Sequence, residues 1–417
     1  MEKKQNHRPF AQFACVEGAD NWGALSRRPA DMYRRETDFR SPFARDYTRV
    51  LHSNAFRRLK HKTQVFFNIA NDHTCTRMEH VFHVESVSSA IADKLGLNSE
   101  LTRAIAIGHD LGHAPFGHQG EVVLNTLSEK WLGRKFWHEQ NGLRMVDKIE
   151  LLEDHNRVSR NLNLTYAVRD GIISHCGEVD ENGLMPRAEL FDLTEIQRAS
   201  EYQAATWEGC IVKIADKIAY LGRDIEDADR LNFLSQKDRL NLAKMARAEQ
   251  DVLNTTSIIH SMIVDICNNS TPERGICLSD DYFRRLREIK AFNYETIYNN
   301  DRFEAYKEYS TLIITRIFRT LQEQYSGDST IKKLKDLKSY CPGLAASFID
   351  WLARYCEVGF VSEFFDVESV APLANIENEK IYGSLETEPE YVQAVIDFIS
   401  GMTDRYAVEL FNELITF

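Results

Sequence analysis

Apolar residues recur at helical spacing through most of this chain. In one segment, Val84, Val87, Ile91 and Leu95 follow one another at three- and four-residue steps, which places them on one helix face, and Gly96 is suited to end that helix. Similar patterns predict helices near 43–51, 138–152, 164–176 and 207–231, and several more after residue 240. Strand patterns are few and short, and the 417 residues include only 20 Gly and 9 Pro. We therefore predict an all-α fold.

Charge and composition argue against several classes of protein. The formal net charge of −12 is unfavourable for duplex binding, and without a basic-aromatic run even binding of single-stranded nucleic acid is only a minor expectation. The N-terminus lacks the apolar segment of a signal peptide, and no window is apolar enough to span a membrane. The eight cysteines are scattered without a CxxC pair, as expected of reduced thiols. We expect a cytoplasmic protein with no membrane partner.

Titratable residues are concentrated in the segment IGHDLGHAPFGHQGE, residues 107–121. His109 and Asp110 are adjacent and project about 100° apart on a helix, so both can bind one ion only from a helix end or a cavity wall. His80, on the preceding helix, and Asp216, on the long helix near 207–231, are the best candidates for two further ligands. Two imidazoles and two carboxylates form a mixed nitrogen and oxygen site that suits Mn²⁺, Fe²⁺, Mg²⁺ or Zn²⁺.

Each of these residues taken alone has a simpler explanation. His80 would fit a half-buried core histidine, and Asp216 would fit an ion-pair partner of a neighbouring lysine. Asp216, Tyr220 and Asp224 share one face of their helix, and such a polar stripe is more often solvated than part of a pocket. The combination of these features is what favours a metal site.

The order of these residues resembles that of a known family. His80, the pair His109 and Asp110, and Asp216 follow the H…HD…D order of the HD-domain metal-dependent phosphohydrolases. Further segments narrow the resemblance to the deoxynucleoside triphosphate triphosphohydrolases, which include bacterial dGTPase-like proteins and a vertebrate sterile-alpha-motif/HD relative. These segments are FRRLKHKTQVF (56–66), RMEHVFHVE (77–85), HDLGHAPFGHQGE (109–121), FWHEQNGLR (136–144), LNLT (162–165) and DKIAYLGRDIEDA (216–228).

The resemblance covers about residues 45–230 and implies an HD-domain helical bundle with additional C-terminal helices. We expect a single body over 1–417, with the catalytic HD core at about 45–235 and a helical C-terminal part at about 236–417. The segment YVQAVIDFISGMTDRYA also resembles bacterial members, and its Asp404, Arg405 and Tyr406 are expected either at the nucleobase or at a subunit interface. The polar segment 178–198 is expected to leave the bundle as a lid, an interface or an ordinary insertion.

In this family the two histidines and two aspartates bind the metal, which implies His80, His109, Asp110 and Asp216 as ligands. The expected ion is Mn²⁺ or Mg²⁺, with Fe²⁺, Co²⁺, Ni²⁺ or Zn²⁺ as alternatives. The family reaction splits a dNTP, with dGTP as the first expectation, between the 5′ oxygen and the α-phosphorus. Its products are a deoxynucleoside and inorganic triphosphate, and the expected role is control of dNTP pools.

The resemblance also implies residues for proton transfer. His118 is the expected acid for the leaving 5′ oxygen, because an imidazole can be protonated near neutral pH. Glu121 matches an acidic position of the family and is expected to orient that imidazole. His113 and His138 match pocket histidines that contact phosphate or relay protons.

A further set of residues is implied in substrate binding. Arg77 matches the arginine that grips phosphate, and Lys217 matches a lysine that contacts phosphate. Gln64 aligns with the glutamine that contacts the 3′ hydroxyl of the sugar, while Tyr220 and Asp224 match groups packed against the deoxyribose. An aromatic ring on the 2′ carbon would select deoxyribonucleotides over ribonucleotides.

Family members assemble as tetramers or hexamers and several respond to a dNTP at a second site, so a homo-oligomer with a dNTP allosteric activator is expected. Two alternatives stay open. One is another HD phosphohydrolase, a phosphodiesterase or nucleotidase, which would explain the metal ligands but not Gln64, Arg77 and the FGHQGE segment together. The other is a dNTP-sensing regulatory protein whose activity is conditional.

Overall fold

The structure is a computed structural model that describes residues 8–31, 37–67, 74–176, 181–246, 255–357 and 375–416, together with residues 360 and 373. Seventeen α-helices lie within these ranges. They are α1 Trp22–Leu25, α2 Pro42–His52, α3 Asn54–Arg58, α4 Arg77–Leu95, α5 Ser99–Gly108, α6 Gly117–Leu132, α7 His138–Arg144, α8 Tyr166–Ser174, α9 Trp207–Arg230, α10 Gln236–Ala246, α11 Thr255–Asn269, α12 Asp280–Asn293, α13 Glu304–Gln322, α14 Thr330–Leu337, α15 Pro342–Tyr355, α16 Glu388–Ser400 and α17 Asp404–Ile415.

Strand structure within the described ranges is limited to one small hairpin, so the all-α prediction is confirmed. The strands β1 Leu151–Glu153 and β2 Ser159–Asn161 pair antiparallel. The helix predicted over 138–152 is shorter than expected, because α7 ends at Arg144 and continues as one π-helical turn, Met145–Ile149. Among the helices of the described ranges, none combines the length and the apolar content needed to cross a membrane.

The described residues belong to two compact units. The first takes the described residues of Met1–Leu51, Gln64–Asp110 and Leu164–Glu304, and the second takes those of His52–Thr63, Leu111–Asn163 and Ala305–Phe417. The expectation of a single body over 1–417, with a catalytic core at about 45–235 and a helical part at about 236–417, stays a prediction.

The centre of the first unit is formed by α4, α5, α8 and α9, which pack against one another. On α4 the predicted apolar face is the buried one, since Val84, Val87, Ile91 and Leu95 are almost fully removed from solvent. Full burial of each such side chain stabilises the fold by about 1.5–3 kcal/mol. The long helix α9 is buried along most of its length, and it therefore runs through the core of this unit.

Local signals set the ends of α4. Thr76 accepts a hydrogen bond from the backbone N–H of Glu79, and the Glu79 carboxylate accepts one from the Thr76 N–H, which completes a capping box. At the other end Gly96 has a φ of 88°, a left-handed conformation that glycine adopts without strain. These two ends fix where the first turn of α4 begins, and with it the positions of Arg77 and His80.

The expected excursion at 178–198 has its residues 178–180 outside the described ranges. From Arg187 onward it packs on α8 of the first unit. Arg187 forms an ion pair with Asp170, and the Asp170 carboxylate also accepts a hydrogen bond from the Ala205 N–H at 2.6 Å. The Tyr166 hydroxyl donates to the Phe191 carbonyl at 3.0 Å. This described part is therefore tied down through buried polar contacts.

In the second unit α6 packs on α16, and α15 packs on both α16 and α17. A partly buried ion pair joins α7 to α16, because Arg144 donates from Nη2 to the buried Asp397 carboxylate at 2.7 Å. The Tyr382 hydroxyl donates to the same carboxylate at 2.8 Å. Removing one partner of such a pair would leave the other charge uncompensated, so the pair fixes how these two helices pack.

Candidate active site

The first turn of α4 presents two polar residues on one face. Arg77 and His80 are separated by one helical turn, and each is about 2% exposed. An arginine and a histidine buried this deeply need partners, because an unpaired buried charge is costly. Their partners come from α9 and from the end of α5.

Four of the predicted residues lie together in the first unit, and we call them the metal cluster: His80, His109, Asp110 and Asp216. His80 Nε2 lies 3.0 Å from Asp216 Oδ1 and 3.9 Å from Asp110 Oδ2. His109 Nε2 lies 3.4 Å from Asp110 Oδ1 and 3.8 Å from Asp216 Oδ1. Two imidazole nitrogens and two carboxylates thus converge in a mostly buried space, the donor set that a divalent transition metal such as Mn²⁺ accepts.

The hydrogen bonding of His109 fits a metal ligand. Its Nδ1 lies 2.6 Å from the carbonyl oxygen of Ala106. A carbonyl can only accept, so Nδ1 carries the hydrogen and Nε2 presents a lone pair. This Nε2 is buried and has no hydrogen-bond partner among the described residues. An orphaned buried lone pair facing two carboxylates is what a bound cation would satisfy.

Electrostatics within the metal cluster also favour a cation. Burial lowers the pKa of His80, but its hydrogen bond to Asp216 and the charges of Asp110 and Asp216 outweigh burial and raise it. Burial likewise raises the pKa of Asp216, but the hydrogen bond from His80 and the nearby imidazoles bring it down to about 2. The Asp216 carboxylate therefore stays charged and attracts positive charge, which a divalent ion would supply.

Two predicted substrate residues carry orphaned polar atoms in the same unit. Arg77 donates from Nη1 to Asp110 Oδ2 at 2.9 Å, so it is paired with a residue of the metal cluster. Its Nε and the Oε1 of Gln64 are buried without a hydrogen-bond partner among the described residues. One is a donor suited to an anion and the other an acceptor suited to a hydroxyl.

The face of α9 beyond Asp216 carries Tyr220 and Asp224, as the spacing predicted. Asp224 is buried, and the hydroxyl of Tyr298 donates to its carboxylate. Burial raises the pKa of Asp224 to about 7, although the Tyr298 hydrogen bond acts in the opposite direction. Burial raises the pKa of Tyr220 as well, with Asp216 adding to the shift. Lys217, the other predicted residue of α9, is also mostly buried.

The remaining predicted residues belong to the second unit, at the start of α6 and of α7. Glu121 accepts from the His138 backbone N–H at 2.9 Å, and its Oε2 lies 3.1 Å from His138 Nδ1. The rings of His113 and His138 stack with centroids 3.9 Å apart, while His113 and His118 are 6.2 Å apart. In the structure, Glu121 is therefore the partner of His138. His118 is exposed, and the expected role of Glu121 in orienting it stays a prediction.

Close packing between α7 and the turn after residue 110 explains one glycine of the HDLGH motif. A Cβ on Gly112 would lie 2.0 Å from the His138 carbonyl oxygen and 2.2 Å from the Gly142 nitrogen. The Gly112 carbonyl in turn accepts from the side-chain amide of Asn141 at 2.7 Å. Only glycine fits this approach, so Gly112 determines the position of His138.

The turn that leads into α6 is strained. Phe116 has a φ of 64°, which is rare for a residue with a bulky side chain, and it is buried. Its N–H donates to Asp404 Oδ1 at 2.8 Å, and its carbonyl accepts from the Tyr306 hydroxyl at 2.8 Å. Such a conformation persists when its surroundings enforce it, and here both backbone groups are held by side chains.

Asp404 also binds the segment before Gln64, since it accepts from the Thr63 N–H at 2.8 Å. Of the other residues in GMTDRYA, Arg405 is exposed and pairs with Glu409, while the Tyr406 hydroxyl donates to Ser347 Oγ at 2.7 Å. The sequence placed Asp404 at the nucleobase or an interface. In the structure, the Asp404 carboxylate contacts the backbone of Thr63 and Phe116.

Two residues near the predicted site were not predicted from the sequence. Tyr298 is the partner of Asp224, and its place in an ordinary aromatic-rich segment gave no signal. His175 ends α8 and lies beside His109. The sequence did hold a signal for it, because DGIISHC ends an apolar helix in histidine just as AIAIGHD does.

Comparison with protein families supports the same identification. Residues 77–221 match the model of the HD domain, and residues 377–413 match that of the phosphohydrolase-associated domain. A deoxyguanosinetriphosphate triphosphohydrolase-like protein of Caldanaerobacter subterraneus subsp. tengcongensis is 30% identical over 400 residues, which cover 94% of this chain and 91% of that protein.

Two further relatives carry the same description. The protein of Ruegeria sp. is 30% identical over 400 residues, covering 91% of this chain and 94% of its own length. The protein of Desulfatibacillum aliphaticivorans is 38% identical over 262 residues, covering 62% of this chain and 67% of its own length. The metal cluster and the two similarities that span more than 90% of both chains lead to one conclusion: the chain belongs to the HD-domain family of deoxyguanosinetriphosphate triphosphohydrolase-like proteins, a family of hydrolases whose HD domain binds divalent metal.

Proposed function

We propose that this protein hydrolyses a dNTP, dGTP first, to the deoxynucleoside and inorganic triphosphate and so contributes to the control of dNTP pools. The observation that carries the proposal is the metal cluster, because two imidazoles and two carboxylates in a mostly buried site have the composition needed to hold a phosphohydrolase metal. The similarity to deoxyguanosinetriphosphate triphosphohydrolase-like proteins favours this reaction over that of a phosphodiesterase or nucleotidase.

The ligands of the metal would be His80, His109, Asp110 and Asp216, with Mn²⁺ or Mg²⁺ as the first candidates. When bound, the ion would polarise a phosphoryl oxygen and activate water for attack on the α-phosphorus. Asp110 would meet two demands, since it also accepts the hydrogen bond of Arg77. This pairing holds the guanidinium in place before a substrate arrives, which limits the entropy lost on binding.

Arg77 and Lys217 would neutralise phosphate charge. The Arg77 Nε–H lacks a hydrogen-bond partner among the described residues, so an incoming phosphate oxygen would fill an empty position. Lys217 directly follows Asp216 on α9, and its burial strengthens its interaction with an anion.

Gln64, Tyr220 and Asp224 would bind the sugar. The buried Oε1 of Gln64 has no donor among the residues that the structure describes, and a 3′ hydroxyl is a suitable donor for it. The Tyr220 ring would pack on the 2′ carbon and exclude a 2′ hydroxyl. We assign His118 as the acid for the 5′ oxygen on the strength of its motif, with His113, His138 and Glu121 as its supporting residues.

We further propose a cytoplasmic homo-oligomer, a tetramer or hexamer, whose activity responds to a dNTP at a second site. This part of the proposal rests on the resemblance of the sequence to oligomeric family members. A nucleotide-sensing role would then mean that the protein binds a dNTP at the second site without measurable turnover.

Product analysis tests the proposal. Purified protein is stripped of metal, given Mn²⁺ or none, and incubated with each dNTP singly and then with the mixture. The proposal expects deoxynucleoside and triphosphate only when metal is present, and none from a His109→Ala variant. Activity confined to the mixture supports a second nucleotide site. Orthophosphate or pyrophosphate as the inorganic product would overturn the proposal in favour of another phosphohydrolase.

A further inference from the structure

His175 directly follows the last residue of α8 and is almost fully buried. Its Nδ1 lies 2.7 Å from the carbonyl oxygen of Ile172, three residues earlier. Because that carbonyl can only accept, Nδ1 carries the hydrogen and the lone pair of the neutral ring is at Nε2. His109 shows the same arrangement at the end of α5, where Nδ1 bonds to Ala106 three residues earlier. The two histidines are thus prepared for ligation by the same local geometry.

The packing of α5 on α8 brings these two helix ends together. A Cβ on Gly108 would lie 2.9 Å from the Ile172 side chain, and a Cβ on Gly171 would lie 2.6 Å from that of Ile105. Each helix therefore provides a glycine at the place where the isoleucine of the other makes closest contact. Larger residues at either glycine would push the helices apart.

As a result the rings of His109 and His175 lie with their centroids 4.9 Å apart at an interplanar angle of 74°. One ligand atom from each of His109, His175 and Asp216 lies within 4.8 Å of the other two. The lone pair of His109 in this group has no hydrogen-bond partner among the described residues. An ion that satisfies His109 and Asp216 would therefore be within reach of a third side chain, that of His175, after a small adjustment.

We propose that His175 is a fifth group of the metal centre, which binds the divalent ion through Nε2 alongside His109 and Asp216. The inference rests on the proposed metal centre and adds a third imidazole to it. A third neutral nitrogen ligand strengthens binding of Mn²⁺, Co²⁺ or Zn²⁺ more than that of Mg²⁺, because imidazole suits the transition metals and Zn²⁺.

The substitution His175→Asn provides a clean test. The Asn side-chain amide can replace Nδ1 and keep the bond to Ile172, but it offers nothing in place of Nε2. Mn²⁺ affinity of the metal-free proteins is measured by titration, together with their melting temperatures. His260→Asn, a substitution of an exposed histidine on α11, is the matched control. We expect His175→Asn to weaken Mn²⁺ binding by roughly 10- to 100-fold with the control unchanged.

A measurement on the wild-type protein makes the test independent of how the variant folds. Protein grown with ¹⁵N-histidine is loaded with Mn²⁺, and pulsed paramagnetic resonance counts the histidine nitrogens coupled to the ion. Three coupled imidazoles support the inference, whereas two would overturn it and leave the centre of His80 and His109 intact. An unchanged Mn²⁺ affinity in His175→Asn would also overturn it. A wild-type protein that binds no Mn²⁺ would refute the metal centre itself.

Discussion

The carboxylate of Asp404 accepts a hydrogen bond from the backbone N–H of Phe116 at 2.8 Å, across 288 residues of sequence. Phe116 has the left-handed backbone conformation from which α6 starts, and His118 follows within the first turn of that helix. A carboxylate from α17 therefore holds a strained turn next to the residue assigned as the acid. The turn and its support are both in the second unit.

Substituting this carboxylate should destabilise the fold. In Asp404→Ala the N–H groups of Thr63 and Phe116 lose their acceptor, and a buried donor left unpaired costs about 1–3 kcal/mol. We expect the free energy of unfolding to fall by about 3 kcal/mol in denaturant titrations. The neighbouring Arg405→Ala, at an exposed ion pair, should change it by less than about 0.5 kcal/mol. Equal effects of the two substitutions would contradict the assigned role of Asp404.

Gly112→Ala should displace α7. The new methyl group would meet the His138 carbonyl oxygen at 2.0 Å, so the helix start and the His138 ring must move. Overpacking of this kind costs about 1–3 kcal/mol, and the larger effect is expected on turnover. Gly23→Ala, where a Cβ meets nothing within 4 Å, is the control that should leave both unchanged. Thermal melts and kcat of the two variants would be compared. Wild-type values in Gly112→Ala would show that the packing around Gly112 can accommodate a methyl group.

Asp224 should make stability depend on pH. Its pKa is about 7 in the folded chain and about 3.9 when unfolded, so the folded state binds more protons between these values. Stability must then fall as pH rises from about 4 to about 7, by up to about 1.4 kcal/mol per pH unit. Asp224→Asn removes this loss, so the free energy of unfolding of the variant, relative to that of the wild type, should increase between pH 5 and pH 8. Metal-free melts across this range test it, and a difference independent of pH would contradict it.

Tyr298→Phe extends the same prediction. The Tyr298 hydroxyl stabilises the charged carboxylate, so its removal should raise the pKa of Asp224 further. The pH range over which stability falls should then reach higher values than in the wild type. A shift toward lower pH would mean that the hydroxyl acts on Asp224 in another way.

Tyr220→Ala should relax discrimination between deoxyribonucleotides and ribonucleotides. Opening space at the 2′ carbon is worth about 1–3 kcal/mol, so the ratio of kcat/KM for dGTP over GTP should fall by about 10- to 100-fold. Tyr340→Ala, which alters a largely exposed ring, should keep the wild-type ratio. If the Tyr220 variant loses activity on both substrates equally, the ring is only a core residue of α9.

His118→Ala should retain metal but lose most turnover. Removing a general acid costs about 10²–10⁴ in rate, while the metal cluster of the first unit is left unaltered. Mn²⁺ titration and kcat are compared with those of His260→Ala, which alters an exposed histidine. Unchanged turnover in His118→Ala would remove the acid assignment, whatever the metal content.

Sequence patterns predicted the helices well because their signal is local. The apolar steps from Val84 to Leu95 and the stop at Gly96 depend on neighbours along one helix, and the structure has them as expected. The left-handed conformation of Phe116 was not predicted, because a bulky residue adopts it only under tertiary restraint.

The contacts that the sequence missed are those between distant segments. The sequence around Asp404 does not indicate its hydrogen bond to Phe116, and the sequence around Glu121 does not indicate that His138 is its partner. His175 has no charged neighbour like Asp110, so the histidine at the end of an apolar helix is the one sequence signal that could have marked it. Its position became evident only from the glycine contacts that bring α8 onto α5.

The most direct measurement is the position of isotope after hydrolysis of dGTP in ¹⁸O-labelled water with Mn²⁺. In the proposed reaction water attacks the α-phosphorus, so the label should appear in inorganic triphosphate and the deoxyguanosine should be unlabelled. Label in orthophosphate or in a nucleoside monophosphate would show cleavage at another phosphorus–oxygen bond. Either result would contradict the proposed triphosphohydrolase reaction.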